Sequence, residues 1–261
     1  MYTSLYSHND WDPDMNLEKS GDNNQIKPGR HFLIELIYWI IYLRIKILSA
    51  REAARFLMIL DNKLYSLQGN VAIRYGNGTH TKHKHLKYHD FFVNRINKTE
   101  RVLDVGCGTG NVSYAVAMGS GATITGIDIN PENIEAARKK FSNEKIFFIT
   151  GDALTDLPKE SFDVVILSNV LEHFERRIDF LRQLCLQVSP QRLLIRVPLF
   201  ERDWRVPFKK EVGIDYRLDA THFIEYTLED FSDEMREAGL TITYLESRWG
   251  EIWAEAVPDV T

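Results

Sequence analysis

The chain has 261 residues, 44% of them hydrophobic and 26% charged, with a formal net charge of -5. That is enough apolar material for one full α/β domain plus a smaller appendage, and the composition excludes a disordered or linker protein. The acidic balance gives no field for a phosphate backbone, so no nucleic-acid partner is expected. The two cysteines, Cys107 and Cys185, cannot build a disulfide framework or a four-thiolate zinc site.

Residues 1–30 read as a polar tail with Asp10, Asp12, Asp14 and Glu18 and without the apolar core of a secretory signal, so a cytoplasmic setting is expected. The run 32–48 is almost all apolar but is broken by Glu35, Arg44 and Lys46. A spanning helix wants about 20 apolar residues, so this run predicts a helix packed on the main domain or on a second copy in a homo-oligomer. The alternative is a helix lying in a membrane surface as a peripheral contact, with Tyr38, Trp39 and Tyr42 at headgroup level. Residues 31 to about 68 read as one or two helices, the second holding 50–57, followed by a His/Lys-rich stretch at 69–87 and a helix at 88–97. Together 31–98 read as a helical extension and lid. Within it His85 and His89 stand one helical turn apart, but Lys82, Lys84 and Lys87 would repel a cation, and no metal is assigned.

From residue 99 to 261 short apolar runs alternate with helical patterns. Strands are predicted at 101–105, 122–128, 146–150, 162–167 and 192–197, with helices at 111–118, 131–141, 177–186 and 228–238. Two last runs, 241–246 and 251–257, are close enough for an antiparallel hairpin. The fold class is therefore α/β, a Rossmann-like doubly wound, mostly parallel seven-stranded sheet with an antiparallel last strand. The segment 198–226 is a long insertion holding Trp204 and reads as an acceptor-binding cap, or as a surface excursion packed on 31–68.

The first strand runs into Asp104-Val105-Gly106-Cys107-Gly108-Thr109-Gly110, a glycine-rich turn ahead of a helix. Such a turn lets backbone approach a ligand, and the helix start offers free N–H groups. Asp128 ends the second strand, Asp152 follows the third, and Asn169 to His173 follow the fourth, so polar groups gather at one edge of the sheet. A dinucleotide fingerprint would need glycine at 111, which is Asn111.

These residues resemble the class I S-adenosylmethionine (SAM)-dependent methyltransferases, in particular the group with small-molecule and glycan O-methyltransferases. The resemblance covers roughly 99–257. It implies that Asp104, Gly106, Cys107, Gly108 and Gly110 hold the methionine part of SAM. It implies further that Asp128, with Ile129, takes the ribose, that Asp152 meets the adenine amine with Ala153 beside the ring, and that Asn169, Val170 and His173 line the transfer site. Lys82 and Tyr88 are expected to join the cofactor contacts from the lid.

Transfer from a sulfonium needs an aligned nucleophile and, for a hydroxyl, a base. His222 is the first choice, because many relatives carry a histidine ahead of their last helix; His173 and His89 are the others. The expected activity is methyl transfer to a hydroxyl of a small-molecule or glycan-type acceptor. The alternatives are C- or N-methylation of a quinone, lipid or peptide, and a SAM-binding scaffold without turnover.

Overall fold

The computed structural model describes residues 28–78 and 80–259. The predicted tail lies outside the described residues up to 27. The chain divides at Ser49 into two units. The first contains helix α1 (Pro28–Lys46), which starts earlier than the predicted boundary because proline suits a first helical turn. Its apolar side chains are exposed on every side, from Phe32, Leu33 and Ile34 to Trp39, Ile40 and Leu43. No helix among the described residues is long and apolar enough to cross a membrane.

The second unit opens with α2 (Ala50–Tyr75), which runs on past Gly69, where the helical reading of about 31–68 ended. Gly69 costs about 1 kcal/mol in a helix, and that is too little to end one. The His/Lys-rich stretch contains a short helix α3 (Thr81–Leu86), separated from α4 (Tyr88–Val93) by Lys87 in the left-handed region at φ 48°. His80 caps α3 by accepting the Lys82 N–H at 3.0 Å.

Then come β1 (Arg101–Val105), α5 (Asn111–Ser120), β2 (Thr123–Asp128), α6 (Pro131–Lys140), β3 (Ile146–Thr150) and β4 (Val164–Ser168). They are followed by α7 (Arg177–Val188), β5 (Arg192–Pro198), α8 (Arg205–Glu211), α9 (Leu228–Glu237), β6 (Leu240–Arg248) and β7 (Glu251–Pro258). The fourth strand begins later than predicted, at Val164; Asp163 just before it accepts the Arg101 N–H through its carboxylate at 2.8 Å. The seven-stranded sheet has the order β3-β2-β1-β4-β5-β7-β6. β1 to β5 are parallel, and β7 runs antiparallel between β5 and β6. The hairpin turn is only Trp249 and Gly250, both at positive φ, which matches the twist of paired strands.

Alternate residues of each strand face opposite sides. Leu103, Val105, Val165, Leu167, Leu193 and Ile195 join α7 and α9 in one core. Val102, Ile124, Val164, Ile166, Leu194 and Trp253 join α4, α5 and α6 in the other. The chain order reverses between β1 and β4, so the crevice of this doubly wound sheet opens at the end of β1. Trp253 is fully buried, its ring 5.1 Å from Phe91 and 5.3 Å from the Arg196 guanidinium. Trp253→Ala should therefore lower unfolding stability by about 3–5 kcal/mol, measured as a shift of the urea midpoint at constant slope.

Candidate functional site

The glycine turn sits at that crevice and is fixed by packing. A Cβ on Gly106 would lie 2.7 Å from Val170 Cγ2, at φ +63°, so only glycine lets the segment after β4 close on the turn. A Cβ on Gly110, which caps α5, would lie 2.5 Å from Phe148 Cζ. Gly108 differs: at φ +53° a Cβ would meet nothing within 4 Å, so its outer face is open. Beside it the Asp128 carboxylate accepts N–H groups from Gly108 at 2.8 Å and Asn130 at 2.9 Å, and Asn133 Nδ2 at 3.1 Å. Ile129 is 67% exposed next to this acid. Asp152 accepts the Leu154 N–H at 2.9 Å, with Ala153 packed on the core edge. Open glycine backbone, an acid and an exposed apolar side chain on neighbouring strands fit an adenosyl group.

Asp104 is buried and accepts a hydrogen bond from Ser113 Oγ at 2.5 Å. Burial, opposed by the Ser113 bonds and helped by Asp128, pushes its carboxyl up to about 7. Cys107 is buried against Gly126, and burial beside the two acids raises its thiol further from ionisation. Its N–H donates to the Ile127 carbonyl at 3.0 Å, which ties the turn to β2.

The two histidines expected from opposite ends of the domain meet. The His173 and His222 rings lie 4.6 Å apart at 83°. Each has Nδ1 engaged, that of His173 with Thr221 Oγ1 at 2.9 Å and that of His222 with Glu225 Oε1 at 2.9 Å. Glu225 also pairs with Arg202 and stays below the usual carboxylate range, the bonds from His222 and Leu218 outweighing burial. Burial, with His222 nearby, lowers His173. Between them lies Glu172, fully buried, both carboxylate oxygens without a hydrogen-bond partner, its carboxyl pushed up to about 7 by burial. Asn169, in the left-handed region at φ 56°, turns the chain into this segment. His89 is placed elsewhere, on α4 with its ring 3.9 Å from Tyr88 and its buried Nε2 unpartnered.

A second charged group went unread in the sequence. Arg196, buried on β5, binds Glu251 of β7 at 3.1 Å and lies 4.8 Å over the Tyr88 ring. Lys82 joins the same carboxylate at 2.8 Å. Lys82 thus has a partner within the protein, and Tyr88 stands over the sheet edge near Asp104 and Arg196. The His83 ring packs at a tilt on Tyr88, 4.8 Å between centroids, and burial with Arg196 lowers it to about 4. An arginine inside the apolar run of β5 is the one signal that could have revealed this group. His85 lies apart, lining a 350 Å³ groove with Asp90, Arg95 and Tyr244.

The insertion closes on itself, since the Phe200 N–H donates to the Tyr226 carbonyl at 2.7 Å. Its helix α8 packs on α2, where Asp61 takes Arg205 at 2.7 Å and Lys209 at 2.6 Å. The structure thus favours the packed excursion for α8. Trp204 remains 69% exposed at its start.

Asp104 has a folded pKa above its unfolded one, so its stabilising effect is complete below about pH 4 and is lost as pH rises through about 7. Asp104→Asn should remove this component, making the urea-derived stability fall less between about pH 5 and about pH 8 than in the unaltered chain.

A methyltransferase-domain family profile matches residues 78–245. Among curated proteins, the mitochondrial ubiquinone biosynthesis O-methyltransferase of Schizosaccharomyces pombe is 37% identical over 101 residues, covering 37% of this chain and 36% of that protein. Norajmaline N-methyltransferase of Rauvolfia serpentina is 30% identical over 111 residues, covering 40% and 38%. The matches thus span well under half of these relatives' own lengths. Among solved structures, magnesium protoporphyrin IX methyltransferase of Synechocystis PCC 6803 with bound SAH superposes with a TM-score of 0.54 at 20% identity, covering 67% of this chain and 84% of that one. The profile match takes in more than half of the chain and the fold agrees with it, so the chain belongs to the methyltransferase-domain family of class I SAM-dependent enzymes.

Proposed function

We propose that the chain transfers the methyl group of SAM to a hydroxyl of a small aromatic or quinol-type acceptor. The observation that carries this reading is the meeting of His173 and His222 beside the glycine turn, with His222 oriented by the buried Glu225. SAM, when bound, supplies a methyl group on an already activated sulfonium. Gly106, Gly108 and Gly110 would hold it with Asp104, Asp128, Ile129, Asp152, Ala153, Asn169 and Val170.

What the protein must add is alignment, exclusion of water and help with the hydroxyl proton. Glu225 fixes His222 through Nδ1, which leaves Nε2 as the basic nitrogen. Phe223, next in sequence and 60% exposed, offers an apolar face to an acceptor, and Trp204 a second. The S. pombe relative, named for ubiquinone biosynthesis, supports a ring-borne hydroxyl. The Rauvolfia relative keeps an amine acceptor as the alternative. We read α3 and α4 as a lid, because Tyr88 stands near Asp104 and Lys82 brings positive charge to the same edge.

Asp128→Ala should weaken SAM roughly 10- to 100-fold by titration calorimetry, as expected for a bond to a charged group. His222→Ala should lower turnover about 10²- to 10⁴-fold while leaving SAM affinity close to that of the parent. Labelled SAM incubated with extract should put label into an organic-soluble phenolic fraction. Label confined to glycans would move the acceptor to that class, and no label in any fraction would defeat the reading. Lys82→Ala or His89→Ala with unchanged SAM affinity and turnover would remove the lid.

A further inference from the structure

We propose that Glu172, His173 and His222 form a binding site for one first-row divalent cation of the zinc or manganese type. The proposal rests on the reading of this cluster as the place where the acceptor hydroxyl is handled. One ligand atom from each residue lies within 4.8 Å of the other two. Donors around a metal at about 2.1 Å stand roughly 3–4 Å apart, so small side-chain rotations close the set.

Three features favour a cation over a merely packed cluster. Glu172 is fully buried, yet neither carboxylate oxygen receives a hydrogen bond. A buried carboxylate without a partner is costly, and an ion is one of the few things that satisfies it. Next, both histidines have Nδ1 occupied by an outer partner, Thr221 and Glu225. Metal-bound histidines are held in this way, the second ring nitrogen being fixed while the first faces the ion. Finally, the Glu172 carbonyl accepts the Phe223 N–H at 2.8 Å, which ties the His222 segment to the Glu172–His173 turn and fixes the three donors as a unit.

The charges around the cluster are Asp219 beside His173, Glu225 with Arg202, and Arg196 toward Glu172. Arg196 is itself paired with Glu251. Two nitrogens and one carboxylate suit zinc, manganese, iron or cobalt better than magnesium or calcium, and three protein ligands leave positions open. An acceptor hydroxyl at an open position would bind through its oxygen with its acidity increased; with the ion bound, His222 Nε2 is a ligand and not the base, and the hydroxyl proton passes to water. The histidine stretch 80–89, where a metal was first considered, supplies none of these ligands.

The test is titration of Co²⁺ into the chelator-treated full chain, followed by calorimetry and visible absorption, with Zn²⁺ as competitor. One ion per chain is expected, with an absorption band that Zn²⁺ removes. Glu172→Gln should weaken Co²⁺ by at least about 10-fold, and Glu225→Gln, which alters only an outer partner, about 10- to 100-fold. Parallel SAM titration shows that each variant is folded. No Co²⁺ uptake, uptake unchanged in Glu172→Gln, or uptake lost only in a His83→Ala, His85→Ala double variant would overturn the site. Methyl transfer by a chain that takes up no Co²⁺ would sink the metal site alone. Co²⁺ uptake without any labelled acceptor would support the site and defeat only the proposed transfer.

Discussion

The closeness of Gly106 to Val170 is the constraint on which the rest of the site depends. Because no side chain intervenes, the turn after β1 and the segment after β4 touch directly. Asp128 completes the join from β2 by accepting the Gly108 N–H. Three strand ends are thus tied together through one missing Cβ and one carboxylate. A larger residue at 106 would push the Val170 segment outward, and with it Glu172 and His173, which follow within three residues.

The alternation of the strands explains why the charged residues gather where they do. On the face that carries Val102, Ile166, Leu194 and Trp253, the positions nearest the carboxyl ends are Asp104, Ser168, Arg196 and, from the antiparallel strand, Glu251. The same period that buries the apolar residues delivers these polar ones to the crevice beneath α3 and α4. Arg196 is costly to bury, and its pairing with Glu251 together with the Tyr88 and Trp253 rings offsets that cost.

The strands were legible because each is a short apolar run bounded by turn residues, and the parallel order followed from the helices between them. Boundaries slipped where the cause was local but hidden. Asp163 lies just before the strand proper, although its backbone still bonds Arg101 on one side and Gln191 on the other. α3 was missed because its stop is Lys87 at positive φ, a place where glycine would have announced the break. The glycine turn, the acids and the two histidines could be read because each ends a strand or precedes a helix. Glu172 was in view as part of the motif, but its lack of partners is a property of the packed interior. The Arg196–Glu251 pair spans 55 residues, and no local pattern fixes a register between β5 and β7.

β5 links α4 to the segment after β4 through the two sides of one residue. The carbonyl of Arg196 accepts the Asn169 N–H at 2.8 Å, holding the segment that leads to Glu172 and His173. Its guanidinium meets Glu251 and, on α4, the Tyr88 ring. Glu251 therefore has two cationic partners of unequal burial, Arg196 at 6% and Lys82 at 31% side-chain exposure. Breaking a buried pair is costly because it leaves a charge uncompensated. Without Lys82, Glu251 would keep Arg196, so the outer pair is the weaker of the two. α3 is itself anchored by Leu86 in the core beside Phe91 and Phe92, while β5 holds Asn169 in register.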